Sequence, residues 1–284
     1  MTPHRIDGLP EYGRCAVFGI LNVTPDSFSD GGVNLAAAAA IENGLAAARA
    51  GVDVLDVGGE STRPGAGRVD TEEELRRVLP VVEGLVAAGA LVSVDTMRAE
   101  VARQCARAGA RIVNDVSGGL ADPEMFRTVA DLGLPYILMH WRGHSVDMGS
   151  MARYGDVVRE VGEELAVRLA AATRAGIDRE RIVLDPGLGF AKNAEHDWAL
   201  LRGQERLQRE LGRPLLIGHS RKRFLGALLA DEQGTPRPAA QRDAATLAVS
   251  AVAAARGAWA VRVHAGAATA DAVRAVAAMS EGGA

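Results

Sequence analysis

Short runs of apolar and β-branched residues recur along the chain, and a polar residue lies at or near the C-terminal end of each. They are Ala16–Leu21, Val52–Val57, Leu91–Val94, Arg111–Val113, Tyr136–Met139, Ile182–Leu184, Leu215–Ile217 and Ala260–Val263. Between them lie alanine- and leucine-rich stretches whose apolar residues recur at helical spacing. In one of these, Ala244, Leu247, Ala248, Ala251, Val252 and Ala255 fall along a single helical face that stops at Gly257. Thr71 with Glu74 reads as a capping box ahead of Leu75, and Asp122 as an N-cap followed by Pro123 at the first helical position.

Eight strand-like runs alternating with helices predict βαβ units, and eight such units close a (β/α)8 TIM barrel. No linker or break in composition divides them, so residues 1–284 are expected to form one domain, with a core from about 16 to 280. A doubly wound open sheet would more usually carry G-x-G-x-x-G after its first strand. That pattern is absent, as are the P-loop, G-x-S-x-G and H-E-x-x-H.

Composition narrows the class. A 284-residue chain that is 48% hydrophobic can bury a large core. Its net charge of −4 lacks the basic balance of a general nucleic-acid binder. Cys15 and Cys105 form no Cys-x-x-Cys and read as reduced core thiols. Residues Met1 to Arg14 are polar, and the longest apolar-rich run, Ala244–Ala255, is too short to cross a bilayer. A soluble cytoplasmic protein without membrane partners is expected.

Barrel active sites are built at the C-terminal ends of the strands. Here those ends carry Asn22; Asp56 with Gly58–Gly65; Asp95; Asn114-Asp115; His140; Asp185–Phe190; Ser220-Arg221-Lys222; and Arg262 with His264. The stretch Leu215–Arg223 is the clearest case, a buried strand followed at once by three cations. A plain helix start would carry Asp or Glu there, because cations oppose the macrodipole. A polar residue closing all eight strands points to a convergent pocket.

Its residues fall into two chemical groups. Asp95, Asn114 and Asp185 are acceptors at the ends of buried strands, where an unpaired carboxylate is costly. They suit a planar ligand edge rich in N–H donors, such as a 2-amino-pyrimidinone; ligation of a hard cation is the other reading. Arg63, Lys222, Arg262 and His264 are cationic. Arg262 and His264 share one face of the eighth strand, a common phosphate position in barrels. A ring-bearing phosphorylated substrate fits both groups. Two long polar segments, Asp26–Asn34 and Gly58–Asp70, are expected to be mobile loops that act as lids, with Phe28 and Phe190 flanking a second, flat substrate.

Ile20–Gly32 and Asp56–Gly65 closely resemble the two signatures of the dihydropteroate synthase, or pterin-binding, family. Asn114–Gly119, Asp185–Phe190, Ser220–Phe224 and Arg262-Val263-His264 are similar to its later motifs, in the family's order. The resemblance implies a TIM barrel, usually a homodimer. It would join 6-hydroxymethyl-7,8-dihydropterin diphosphate to 4-aminobenzoate with Mg2+ as cofactor, and sulfonamides would occupy the aminobenzoate pocket. By the family's pattern Asp95, Asn114, Asp185 and Lys222 hold the pterin, and Asn22 helps bind Mg2+. Arg63, Arg262 and His264 contact the diphosphate. Phe28, Thr62, Pro64, Phe190 and Lys222 line the aminobenzoate pocket, and Asp30, Arg63, Lys222, Asp95 and Asp185 support catalysis.

The chain departs from the pattern at His219, where a small residue or Thr is more usual, and at Arg223, where some members carry Ser. The segment Trp141–Tyr154 carries no signature. A methyltetrahydrofolate:corrinoid methyltransferase would share the pterin acceptors but would not need the Ser-Thr-Arg-Pro loop or the Arg-x-His pair. A catalytically silent pterin-binding paralogue should have lost loop or Lys residues, whereas Asp30, Thr62, Arg63 and Lys222 are all present. A Schiff-base aldolase built on Lys222 is a further alternative.

Overall fold

The computed structural model describes residues 5–23, 32–60, 69–143 and 151–281. Among these, eight parallel strands are hydrogen-bonded in the order β6-β5-β4-β3-β2-β1-β8-β7. They are β1 (Ala16–Asn22), β2 (Val54–Gly58), β3 (Val92–Asp95), β4 (Ile112–Asp115), β5 (Tyr136–Met139), β6 (Ile182–Asp185), β7 (Leu216–Ile217) and β8 (Ala260–Val263). A parallel bridge between Leu184 and Leu215, with Leu184 N–H donating to Pro214 O at 3.0 Å, brings β6 to β7. The sheet thereby closes into the expected (β/α)8 barrel.

Helices fill the crossovers: α1 (Gly32–Arg49), α2 (Thr71–Ala87), α3 (Ala99–Arg107), α4 (Met125–Leu132) and α5 (Val157–Arg174) follow the first five strands. Two helices, α6 (Ala194–Arg202) and α7 (Gln204–Leu211), separate β6 from β7. Two more, α8 (Arg223–Leu228) and α9 (Asp243–Ala255), separate β7 from β8, and α10 (Gly266–Glu281) ends the chain's described part. None of the described helices is long and apolar enough to cross a membrane.

Side chains alternate across each strand, and the two faces have different fates. Val17, Leu55, Val57, Val92, Val94, Val113, Leu138, Leu184, Ile217 and Val261 face outward and pack in the large core beneath the helices. The inward face begins apolar: Ala16, Phe18, Val54, Ile112, Ile137, Val183, Leu216 and Ala260 form a separate cluster with Ile6 and Trp259. Two residues further along, the same inward rows carry Asp56, Asn114, Asp185 and Arg262, with Asp95 beside them on β3. The register aligns Asp56 with Ile20 and Ser93, Asp95 with Gly58 and Asn114, and Met139 with Asp185. One apolar tier plugs the barrel floor and one polar tier lies above it.

Three local expectations need correction. The N-cap of α2 is Asp70, whose carboxylate accepts from Glu73 N–H at 2.8 Å. Aspartate is a better N-cap than threonine, and Glu74 is instead buried against Arg98. The α4 helix begins at Met125, after a turn. Asp122 caps that turn through Glu124 N–H and also accepts from Ala99 N–H at 2.8 Å, capping α3, whose own N-cap residue, Arg98, makes no side-chain capping bond. The α9 helix and its stop at Gly257 are as expected, but its buried face is Thr246, Ser250 and Ala253. Its apolar face turns outward, with Val252 51% exposed.

Candidate active site

The polar tier is an ion-pair network rather than a row of isolated acceptors. Arg262 Nε lies 2.5 Å from Asp56 Oδ2 and Arg262 Nη2 lies 2.6 Å from Asp95 Oδ2. Asn114 Nδ2 donates to the same Asp56 oxygen at 3.0 Å, while Asp56 Oδ1 is buried with no partner among the described residues. Arg's fork suits this arrangement, since one planar group reaches two carboxylates. Nε and Nη2 are spent on them, and among the described residues the Nη1 edge remains for other partners. Burial pulls the Arg262 guanidinium down, but Asp56 and Asp95 outweigh it and hold the charge firmly in place.

Burial also pushes Asp95 up, to about 7, against the attraction of Arg262 and with the repulsion of Asp56 adding to the rise. Asp185 is raised for the same reason, opposed first by Lys222. Its Oδ1 accepts from Gly187 N–H at 2.7 Å. Gly218, at the end of β7, has no side chain where a Cβ would sit 3.2 Å from Asp185 Oδ2, so the carboxylate has room to face the barrel axis.

Of the three cations after β7, only Lys222 enters the site. Arg221 adopts φ +57, a left-handed conformation that is strained for a non-glycine residue. It is held there by a two-point ion pair to Asp243, at 2.6 and 2.7 Å, and by its N–H on Thr246 Oγ1. Arg223 is exposed at the start of α8. The turn directs Lys222 inward, where its Nζ donates to Leu188 O and lies 4.8 Å from the centre of the Phe190 ring. Burial lowers the Lys222 ammonium to about 8, against the pull of Asp185.

His264 is bracketed by Ser220. The His264 N–H donates to Ser220 Oγ at 3.1 Å, and Ser220 Oγ lies 2.9 Å from His264 Nδ1. A hydroxyl that accepts the backbone N–H is set to donate to Nδ1, which in the neutral ring leaves Nε2 carrying the proton. Asn22 closes β1 beside Gly58. Phe190 packs with Met97, Val116, Met139 and Trp141 in a small apolar cluster that forms one wall of the site.

The structure thus brings together Asp95, Asn114, Asp185, Lys222, Arg262, His264 and Phe190. Phe28, Asp30, Thr62, Arg63 and Pro64 lie outside the described residues. His140 closes β5 but bonds Glu164 and Lys192, away from the acceptors. Asp115 points to the opposite face from Asn114 and serves the fold, accepting from Ser117, Gly119 and the Tyr136 hydroxyl. His219 is a packing residue: fully buried, with Nε2 2.9 Å from both Thr246 O and Ser250 Oγ. Burial lowers it to about 4, so it is neutral.

Sequence reasoning left Asp56 without a role, though a signal was present, since Asp56 is a carboxylate in the inward phase of a strand that is otherwise apolar. The wall residues Met97, Val116 and Met139 gave no such signal.

The inward rim of the barrel pairs N–H acceptors with cations, and the chain belongs to the pterin binding enzyme family, whose pattern matches residues 18–264. It is 51% identical to the dihydropteroate synthase of Mycobacterium leprae, over 94% of each chain. It superposes on the Xanthomonas albilineans dihydropteroate synthase solved with 4-aminobenzoic acid, with a TM-score of 0.86, 47% identity, and 94% and 93% of the two chains covered. The Yersinia pestis dihydropteroate synthase, solved in complex with a sulfonamide drug, gives a TM-score of 0.88 at 38% identity, over 98% of each chain.

Proposed function

We propose that the protein joins 6-hydroxymethyl-7,8-dihydropterin diphosphate to 4-aminobenzoate, giving 7,8-dihydropteroate and releasing diphosphate, a transferase step of folate synthesis. The observation that carries this reading is the inward tier in which Arg262 pairs with Asp56 and Asp95, Asn114 bonds Asp56, and Asp185 stands on the same inward row, in a barrel of this family. Asp95, Asn114, Asp185 and Lys222 hold the pterin ring, and the apolar wall around Phe190 takes the aminobenzoate ring. Arg63, His264 and the Nη1 edge of Arg262 meet the diphosphate. A sulfonamide, sharing the aniline end of aminobenzoate, takes the same pocket.

Among the described residues no group of three or more His, Cys, Asp and Glu side chains could hold a metal. The amide oxygen of Asn22 is a hard donor at the rim, and Mg2+ characteristically combines one or two protein oxygens with substrate phosphate and water. Asn22 would help hold the ion there, and Mg2+ so held would supply positive charge against the diphosphate. Asp95 and Asp185 favour the positive charge that develops on the pterin methylene as its C–O bond breaks. The aniline nitrogen attacks as the neutral amine, so no covalent nucleophile or strong general base is needed, and Asp30 assists. Calorimetric titration tests the substrate assignment. Dihydropterin diphosphate should bind with Mg2+ more tightly than the phosphate-free alcohol, and equal affinities would contradict the anion side of the site.

The raised Asp95 gives this binding a pH dependence. Ring N–H groups need the carboxylate form, which is lost as pH falls through about 7. The phosphate-free dihydropterin should therefore bind about tenfold more weakly at pH 6 than at pH 8, the change in ionised fraction for one such group. Asp95→Asn should flatten the profile. An unaltered protein with equal affinity at both pH values would remove Asp95 from the ring contacts.

The outward face of α9 supports a homodimer. With Trp198, Leu225 and Leu228 it forms an apolar groove reaching Ala248, Val249 and Val252, and Leu228 is 61% exposed. An apolar surface of this kind normally meets a partner, and a second copy is the simplest one. Val252→Glu should convert the protein to a monomer of 29.7 kDa in sedimentation, half the mass of the unaltered protein. An unchanged mass would place the dimer contact elsewhere. Both cysteines are buried thiols, which suits the cytoplasm.

A further inference from the structure

Lys192 lies two residues beyond Phe190 and has no part in the site as built so far. It is 5% exposed, and Nζ lies 2.9 Å from His140 Nδ1, 3.0 Å from Gly187 O and 3.0 Å from Phe190 O. The proton inventory fixes the direction of each bond. His140 Nε2 faces Glu164 Oε2 at 2.9 Å. Burial would raise Glu164, but hydrogen bonds from His140 and Arg142 hold it at about 2, so it can only accept. Burial keeps His140 neutral, at about 4, so its one ring proton sits on Nε2 and Nδ1 accepts. Burial lowers the Lys192 ammonium, against the pull of Asp197, but three acceptors converge on Nζ, one for each hydrogen of the charged form, so Lys192 donates to all three.

The turn so held is the one that equips the site. Gly187 N–H binds Asp185, Leu188 O accepts from Lys222, and the Phe190 ring lies against Lys222. Ala191 closes the turn at φ +47. A non-glycine residue persists in that region only where its surroundings impose it, and the lysine that follows returns beneath the turn and supplies two of those bonds. Asp197 adds a second anchor, accepting from Gly189 N–H at 2.7 Å.

We propose that Lys192 is a positioning residue for the aminobenzoate side of the site: its buried ammonium group locks the turn after β6 so that the Phe190 ring stands against Lys222. This rests on the function proposed above. The test is steady-state kinetics with both substrates on Lys192→Met, Phe190→Ala and the double variant.

Lys192→Met should raise KM for 4-aminobenzoate about tenfold while KM for dihydropterin diphosphate changes less than about threefold, as expected for loss of a buried charged hydrogen-bond donor acting on one subsite. In the Phe190→Ala background the same change should add less than about twofold, because residues acting through one another are not additive. Lys192→Gln keeps a donor but loses the charge, and should show the same selectivity with a rise of about threefold; it carries the test should Lys192→Met not fold. Equal rises in both KM values, a fall in kcat alone, or additive effects would overturn the inference and make Lys192 a scaffold residue. Absence of turnover by the unaltered protein would sink the function itself and this inference with it, whereas turnover with an unmoved aminobenzoate KM in the variants would sink the inference alone.

Discussion

Replacing Arg262 by alanine should destabilise the folded protein by about 3–5 kcal/mol, the usual cost of removing one partner from a buried ion pair. Two carboxylates share this one guanidinium, and Asp56 is fully buried with one oxygen already unpartnered among the described residues. Without the cation, Asp56 and Asp95 face each other in a tier that water enters poorly, and one must take up a proton or the tier must open. Chemical denaturation checks this, with the midpoint falling and the slope unchanged. A loss below about 1 kcal/mol, the scale of a solvated surface pair, would mean that the tier is wet and that Arg262 is not its keystone.

Asp185→Asn should leave the fold intact but weaken pterin binding by about 10- to 100-fold. The isostere keeps an oxygen for Gly187 N–H, so the turn after β6 retains that anchor. What changes is the atom offered to the ligand, because an amide NH2 then faces a ring N–H. A buried donor left without an acceptor costs about 1–3 kcal/mol. Gly218 matters to the same contact, since its missing Cβ is what gives Asp185 Oδ2 its clearance. Calorimetry with the phosphate-free dihydropterin isolates the ring from the diphosphate. Unchanged affinity would take Asp185 out of the ring site.

Much of this was legible in the sequence because two independent signals coincided. Each strand announced itself as a short apolar run, and Asp95, Asn114, Asp185 and Lys222 stood where such runs met polar chain, so the sequence pointed to them as residues that the barrel would bring together. What could not be read was pairing. Arg262 was expected on the anion side, and only the closed barrel brings β8 beside β1 and near enough to β2 and β3 for its fork to hold Asp56 and Asp95. The capping oxygen of α2 is Asp70 rather than Thr71, a one-residue shift that local pattern cannot resolve when both residues can cap.

The α9 helix shows the limit of periodicity itself. Helical spacing identifies an apolar face but not what that face meets. Here the barrel takes the other side, because buried His219 needs Thr246 O and Ser250 Oγ as partners. Lys192 was invisible for a related reason, since a lone lysine in a turn reads as solvated until the fold places three acceptors around it.

The most direct test of the central claim is diphosphate release by the purified protein given dihydropterin diphosphate and Mg2+, with and without 4-aminobenzoate. Diphosphate should appear in step with dihydropteroate only when 4-aminobenzoate is present. Saturable pterin binding without turnover would contradict the synthase reading and favour a silent pterin-binding protein or a methyltransferase.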